Sequence, residues 1–268
     1  MDPVNPSPAA EPPSADEAAN DRAIEGAGTP EADWLPWLTR RRLPEIAPAT
    51  LVPPGCRAVV VAPHPDDEVL SVGGLFGHLA ALGRELLVVA ATDGTGSHDG
   101  SPLWPPERLG RERPLETEQA LARLGLSWCE VRRLGLPDGG LMGLRGTLAE
   151  RIAALLRPGD VVFTTWRLDG HPDHEATGQA CAAVAACMAL RLVEVPVWAW
   201  HWAAAGDARL PWSRAHRVTL DAPIARRKAD AVEAFRSQLL PDPSTGAGPI
   251  LRPTTVERAR RPFEVVFA

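Results

Sequence analysis

The chain has 268 residues, enough for one large α/β domain with a hydrophobic core or for two small domains. Hydrophobic residues make up 45% of it and charged residues 23%, as in ordinary globular proteins. The formal net charge of −6 excludes a general basic surface for nucleic acid, so we expect no nucleic-acid partner.

The acidic charge is concentrated at the N-terminus. Residues 1–33 are rich in Pro, Ala, Glu and Asp and predict a disordered tail. That tail holds eight acidic residues against Arg22 alone, so the rest of the chain is nearly neutral. We expect residues 34–268 to form a single domain, and we expect removal of residues 1–30 to leave activity intact.

The sequence also predicts a location. No apolar run reaches the roughly 18 residues of a membrane helix, and the N-terminus lacks the pattern of a signal peptide. The four cysteines form no CxxC pair and are typical of structural thiols in a reducing compartment. We therefore expect a cytoplasmic protein without an integral membrane segment.

From residue 57 onward, apolar strands alternate with helical patterns. Strands are predicted at 57–62, 84–94, 129–136, 160–166, 192–200 and 215–220, with 261–267 as a last edge strand. Helices are predicted at 68–83, 113–125, 146–159, 174–190 and 222–238, and residues 94–110 are predicted to be a loop. This alternation predicts an α/β fold with a mostly parallel sheet covered on both faces.

Charged motifs follow three of the predicted strands. PHPDDE (63–68) follows the first, TDGTGSH (92–98) the second, and LDGHPDH (168–174) the strand at 160–166. Ligands of such sheets bind beyond the carboxyl ends of the strands, so the motifs are expected on one rim.

The first motif places four ionisable side chains, those of His64, Asp66, Asp67 and Glu68, within five residues. An unpaired buried carboxylate is costly, and a divalent cation would offset that cost. Two histidines and one carboxylate with an open position form a catalytic zinc arrangement, which His64, Asp67 and the distant His174 would complete. The alternative is a salt-bridged loop without metal.

PHPDDE and GHPDH together resemble the LmbE/PIG-L-like family of zinc-dependent N-acetylglucosaminyl deacetylases. The resemblance covers roughly residues 57–240. Its further signals are the GG pair, TDG, an Arg-xx-Glu-xxx-Ala-xxx-Leu-Gly helix from Arg113 to Gly125, LPDG and Ser237–Gln238. It implies a Rossmann-like three-layer fold and hydrolysis of an N-acetylamino sugar.

The resemblance also implies roles for individual residues. His64, Asp67 and His174 would bind one Zn²⁺, although another divalent metal could occupy the same ligands. Asp66 would be the general base, and His171 would stabilise or protonate the intermediate. Asp173 or Asp169 would orient an imidazole. Some members are thought to use a tyrosine where this chain, which has none, carries Asp169.

Other polar residues have two interpretations each. Glu68 would support the site or cap the next helix. Arg113 would contact the substrate or pair with a glutamate on its own helix. Asp93 and Asp138 would contact the substrate, but each precedes a glycine and could simply form a turn. Residues 198–202, WAWHW, match no family feature and are most typical of a packed strand.

The leading hypothesis is deacetylation of a small GlcNAc-type conjugate. An amidase acting on a larger acyl amide or a thiol conjugate is the alternative within the same class. A nucleotide-binding oxidoreductase should carry G-x-G-x-x-G where this chain has PHPDDE, whose charge would repel a pyrophosphate. A metal-binding module without catalysis is disfavoured because Asp66 and His171 are both present. The sequence gives no oligomeric state.

Overall fold

The computed structural model describes residues 22–268. Its helices are α1 Glu31–Arg41, α2 Pro48–Leu51, α3 Asp67–Ala81, α4 Pro106–Arg123, α5 Arg145–Ala153, α6 Pro172–Cys187, α7 Ala199–Trp202, α8 Ala222–Val232, α9 Arg236–Leu239 and α10 Pro253–Ala259. Its strands are β1 Ala58–Ala62, β2 Leu86–Thr92, β3 Glu130–Leu136, β4 Val161–Thr165, β5 Arg191–Val195, β6 Ala215–Thr219 and β7 Phe263–Phe267. No helix in this part of the chain is long and apolar enough to cross a membrane.

The strands form one seven-stranded sheet in the order β3-β2-β1-β4-β5-β7-β6. The first five strands of that order run parallel, and β7 is antiparallel to both of its neighbours. In the central strand β1, Val60 lies opposite Val88 on one side and Phe163 on the other. The chain order reverses between β1 and β4, which creates a crevice at their carboxyl ends.

Helices cover both faces of the sheet, as the apolar strands require. The alternating side chains of β1 enter opposite layers. Val60 packs in a core with Leu75 and Phe163, whereas Val59 and Val61 pack in the other layer. The predicted α/β fold with a mostly parallel sheet is therefore confirmed.

Three local expectations about the elements were wrong. Residues 198–200, predicted as strand, lie at and within the short helix α7, because β5 ends before Pro196. β7, predicted as an edge strand, lies between β5 and β6, and its five residues are all buried. α4 begins at Pro106, inside the predicted loop, because proline is well suited to the first turn of a helix.

A third apolar cluster explains the tryptophan-rich segment. Trp34 of α1 is fully buried and packs edge-on against Trp200 with ring centroids 4.8 Å apart. Its indole nitrogen donates to the carbonyl oxygen of Trp200 at 3.0 Å. The cluster also includes Phe267 of β7. The tryptophans thus fasten α1 to one end of the sheet.

The predicted tail of residues 1–33 is only partly within the described residues, and residues 1–21 lie outside them. Residues 22–30 lie against the body of the protein, and α1 begins at Glu31. The Thr29 amide donates to the His201 carbonyl oxygen at 2.9 Å, and Arg22 pairs with Glu175 at 3.0 Å. The boundary expected at residue 33 therefore falls inside a packed helix.

Candidate metal and catalytic site

The two charged motifs meet at the crevice between β1 and β4. Asp67 lies at the centre of the meeting point. Its Oδ2 is 3.3 Å from Nδ1 of His64 and 3.2 Å from Nε2 of His174, although 107 residues separate it from His174 in sequence. The same oxygen accepts the His64 amide at 3.1 Å, which fixes the turn after β1.

His174 is positioned by a close approach of α6 to β4. The Thr165 hydroxyl at the end of β4 donates to the His174 carbonyl oxygen at 3.0 Å. One turn later, Gly178 faces the strand, where an added Cβ would lie 2.5 Å from the Thr165 carbonyl oxygen. Only glycine allows this contact, so the sequence of α6 determines how near His174 lies to Asp67.

Asp169 fixes the orientation of the His174 ring. Its Oδ2 lies 2.9 Å from Nδ1 of His174, and its two oxygens also accept three backbone amides, those of Val197, Trp198 and Ala199. A carboxylate that accepts so many donors requires the proton on Nδ1. The Nε2 lone pair of His174 is then left to face Asp67.

Two more carboxylates orient His64. Its Nε2 lies 3.0 Å from Asp138 and 3.3 Å from Asp173. Asp173 also accepts the amides of Gly139 and Leu141, at 2.7 and 3.0 Å. With Nε2 protonated toward these acids, Nδ1 of His64 presents its lone pair to the centre.

The residues present fit a metal ion. Nε2 of His174 is buried and has no hydrogen-bond partner among the described residues, although Asp67 is only 3.2 Å away. A cation placed between these two atoms would be held by both, in place of a proton on Nε2. Ligand atoms of His64, His171 and His174 also lie within 4.8 Å of one another, so His171 is near enough to contribute.

The electrostatics of the centre favour positive charge. Burial lowers the pKa of His174, but Asp67 and Asp169 outweigh it and raise the value to about 9. Burial instead lowers the pKa of His171 to about 3, with help from the two nearby histidines, so this ring is neutral. The carboxylates therefore favour positive charge, whether of a proton or of a metal ion, between His64, Asp67 and His174.

Asp66 adopts an unusual backbone conformation beside the centre. Its φ is +120°, which is rare for a residue other than glycine and indicates strain. Its amide donates to Glu68 Oε2 at 3.0 Å, and Arg113 donates to its Oδ2 at 3.1 Å. Burial raises the pKa of Asp66 to about 8, although Arg113 opposes the shift. The two neighbours hold a strained, proton-accepting carboxylate in place.

Arg113 is buried and turned inward. It donates to the carbonyl oxygens of Gly94 and Pro65 at 2.8 and 2.6 Å as well as to Asp66. A Cβ on Gly94 would lie 2.0 Å from this guanidinium, which explains the glycine of TDG. Arg113 thus supports the first motif, and it pairs with no glutamate of its own helix.

Asp138 and Asp93, which were also expected to contact the substrate, differ in their position relative to the pocket. Asp138 lines the pocket, but it is engaged by His64 and by the Gly96 amide at 2.7 Å. Asp93 does not line the pocket and forms an ion pair with Arg133 at the surface, with Nε 2.7 Å from Oδ1. Both aspartates therefore have structural partners.

A contact between Glu116 and Ser237, which the sequence did not predict, links α4 to α9. Glu116 accepts the Ser237 amide and hydroxyl, each at 2.7 Å. This contact places Gln238 in the pocket wall, where its Oε1 is buried and unpartnered among the described residues. The Arg-xx-Glu and Ser-Gln motifs signalled these residues, but neither motif indicated that they pair.

The resulting pocket has a volume of about 240 Å³. His64, Asp66, Asp67, His171 and His174 line its floor. A second cavity of about 760 Å³ adjoins it, lined by residues 24–27 in part and by the 247–254 loop. Trp198 and Ile250 line both cavities, so the two spaces are direct neighbours.

Comparison with known proteins identifies this arrangement. Residues 59–187, which span both charged motifs, match the family model PIG-L, GlcNAc-PI de-N-acetylase. This part of the chain belongs to the PIG-L family. The resemblance read from the two motifs is therefore confirmed, and the PIG-L domain comprises β1 to α6 with the crevice between β1 and β4.

Curated proteins similar to this chain include sugar deacetylases. The chain is 33% identical over 145 residues to a 1D-myo-inositol 2-acetamido-2-deoxy-alpha-D-glucopyranoside deacetylase of Corynebacterium efficiens, covering 45% of this chain and 46% of the relative. It is 35% identical over 144 residues to 2'-N-acetylparomamine deacetylase of Streptomyces fradiae, covering 44% and 48%. The chain thus spans about half the length of these relatives.

Solved structures with a similar fold are also known. A conserved protein of Thermus thermophilus is 28% identical and superposes with a TM-score of 0.54, covering 76% of this chain and 84% of that one. N,N'-diacetylchitobiose deacetylase of Pyrococcus horikoshii is 21% identical with a TM-score of 0.52, covering 68% and 70%. Because its identity is only 21%, the likeness to the Pyrococcus horikoshii protein supports the fold alone.

Proposed function

We propose that this chain is a zinc-dependent hydrolase that removes the N-acetyl group of a GlcNAc-type conjugate and releases acetate and a free amine. The observation that carries the proposal is the convergence of His64, Asp67 and His174, from two distant motifs, beside a supported Asp66. The family of residues 59–187 and the named activities of its relatives support the same conclusion.

His64, Asp67 and His174 would hold one zinc ion. When bound, zinc supplies Lewis acidity toward the acetamide and lowers the pKa of a water molecule to about 7. The carboxylates of Asp169, Asp173 and Asp138 keep both imidazoles oriented for this purpose.

Asp66 accepts the proton of the attacking water and later transfers it to the leaving amine. Arg113 and Glu68 hold its carboxylate and backbone in place, so the base does not need to reorganise during the reaction.

His171 stabilises the carbonyl oxygen as negative charge develops on it. Nδ1 of His171 accepts the Asp173 amide at 3.2 Å, so the ring proton is on Nε2. A neutral imidazole with that proton donates a hydrogen bond toward the pocket.

The sizes of the two cavities support a conjugate as the substrate. A volume of about 240 Å³ lies below the roughly 300–1,000 Å³ of pockets that enclose a drug-sized ligand. The part of the substrate beyond the sugar would then enter the adjoining cavity beside Ile24 and Trp198. Because the same space could hold an acyl chain, an amidase acting on a larger acyl amide is the second candidate.

The test combines metal content with amine release. Wild type should carry about one zinc per chain and release amine from methyl or hexyl N-acetylglucosaminide. His174→Ala should lose zinc, whereas Asp66→Asn should keep zinc and lose turnover. Asp93→Asn, which alters an acid on the same rim outside the pocket, is the control and should retain both. Bound zinc without amine release from the N-acetylglucosaminides, together with amine release from N-hexanoylglucosamine, would favour the second candidate.

We also propose that the protein acts in the cytoplasm. All four cysteines are free, and Cys129 and Cys181 are buried, which suits a reducing compartment. Fractionation of cells that produce the protein would test this location.

A further inference from the structure

A third, smaller cavity adjoins the catalytic pocket on another side. We call it the rear chamber, and it is lined chiefly by Ser71, Trp200, Lys228, Thr255, Arg258, Arg261 and Glu264. Its volume is about 40 Å³, room for about three water molecules at 10–15 Å³ each. Leu70, Val197 and Thr255 line both spaces, so the chamber shares a wall with the catalytic pocket.

Two of the three cations of the rear chamber have a carboxylate partner. Lys228 lies 2.5 Å from Glu264 and also donates to the Leu70 carbonyl oxygen at 3.1 Å. Arg261 makes a bidentate pair with Glu31 at 2.5 and 2.7 Å. The charges of these two pairs cancel.

Arg258 has no such partner among the described residues. Its Nη2 donates only to the Thr29 carbonyl oxygen at 3.1 Å, and its Nε is buried without a partner. The hydroxyl of Thr255, one helical turn earlier, is likewise buried and unpartnered in this part of the chain. Both residues are more than nine-tenths buried. The rear chamber therefore contains one uncompensated positive charge and two unused donors.

The surroundings do not supply the missing charge. Burial, and then the neighbouring Arg261, lower the pKa of Arg258 to about 10, although Glu31 and Glu257 oppose the shift, so it stays protonated at neutral pH. Glu31 is already engaged in its bidentate pair with Arg261. Glu257 acts on it only from the exposed side of the helix, and His201 nearby would add positive charge if protonated. An unpaired buried cation is costly unless a counter-ion or hydrogen bonds offset the cost.

We propose that the rear chamber binds one small monovalent anion between the Arg258 guanidinium and the Thr255 hydroxyl. The occupant is a halide from solution or a small carboxylate such as acetate, which share charge and size. Its binding would hold Arg258 against Thr29 and so fasten residues 22–30 to the wall behind the catalytic pocket.

The full-length protein is tested in sodium chloride, bromide, acetate and gluconate at equal ionic strength. Gluconate is too large for the chamber. Melting temperature in a saturating small anion should exceed that in gluconate by about 3 °C, because a ligand of the folded state stabilises it. Diffraction from bromide-soaked crystals should give an anomalous peak beside Nε of Arg258. A shift with acetate but not with halides would identify a carboxylate as the occupant.

Arg258→Met should lose the anion-dependent shift, whereas the control Arg260→Met, at an exposed neighbour paired with Glu233, should keep it. Anions that bind at the zinc site instead would still stabilise Arg258→Met, and a full shift in that variant would overturn the proposal. If Arg258→Met does not fold, the bromide peak in wild type decides. Equal melting in all four salts and no peak would show that the chamber holds water.

Discussion

At the scale of single residues, all the contacts of the Asp169 carboxylate hold other groups in place. Its carboxylate accepts from the His174 ring and from three backbone amides while being completely buried. Asp169 thus serves to orient His174, the proposed metal ligand.

Asp169→Asn should therefore weaken zinc binding by about 10- to 100-fold, because an amide nitrogen or a weaker acceptor would face Nδ1 of His174. Competition against a zinc chelator of known affinity measures the change. Asp93→Asn serves as the control and should bind zinc like wild type. Unchanged affinity in Asp169→Asn would contradict the orienting role.

Arg113→Lys keeps the charge near Asp66 but cannot reach both carbonyl oxygens and the carboxylate at once. Loss of one charged hydrogen bond, about 1.5–3 kcal/mol, should lower kcat by roughly 10- to 100-fold while zinc content stays at the wild-type level. Steady-state kinetics on the substrate found active with wild type measures this. A change in KM alone would indicate that Arg113 contacts the substrate.

At the scale of elements, the close packing of α6 on β4 determines where His174 lies. Gly178 allows the helix to lie directly on the strand backbone, and the helix then presents His174 to the first motif. The position of His174, a proposed metal ligand, therefore depends on Gly178, a residue without a side chain four positions away.

Gly178→Ala should lower the free energy of unfolding by about 1–3 kcal/mol, because the new methyl group meets the Thr165 carbonyl oxygen. Gly146→Ala is the matched control, since this helical glycine has open space around it. That change should instead stabilise the protein by about 0.5–1 kcal/mol. Urea denaturation of both variants gives the comparison, and equal effects would contradict the packing argument.

The periodicity of the sequence predicted the parallel strands and the helices between them, because each is a local pattern. It failed at β7, whose position between β5 and β6 depends on pairing with β6, more than 40 residues earlier. The periodicity also gave a wrong prediction at α7. The alternating tryptophans there fit the pattern of a strand, but the segment is helical and packs in the cluster that contains Trp34.

The site was predictable to a similar degree. Adjacent motifs gave the residues of the centre, since His64 and Asp67 are neighbours in sequence. The direction of Arg113 and the partners of Asp138 were not predictable. The direction of Arg113 is set by the carbonyl oxygens of Pro65 and Gly94, which lie outside its helix. Asp138 is engaged by His64, which is distant from it in sequence.

At the scale of the whole molecule, residues 22–30 connect several distant parts. Thr29 bonds His201 and Ala203 and accepts from Arg258, and the Glu25 carbonyl oxygen contacts the His201 ring at 2.8 Å. Removal of residues 1–30, which we expect to leave activity intact, would abolish these contacts and so should affect stability.

Removal of residues 1–30 should lower stability by about 2 kcal/mol relative to removal of residues 1–21. Five hydrogen bonds of roughly 0.5–1.5 kcal/mol each and the Arg22–Glu175 ion pair are lost, and water partly replaces them. Thermal melting of the two truncated proteins measures the difference. Equal melting temperatures would show that residues 22–30 contribute little.

The helix that begins with Asp67 is not continuous. Its dihedral angles break at Val72, and the amides of Gly74 and Leu75 donate to Glu264 of β7, both at 2.8 Å. These two amides lack this acceptor until β7 has been synthesised, almost 200 residues later. During translation, the helix that begins with Asp67, a proposed metal ligand, therefore reaches its final form only when β7 enters the sheet. The ability to bind metal should thus appear late, after most of the sheet has formed.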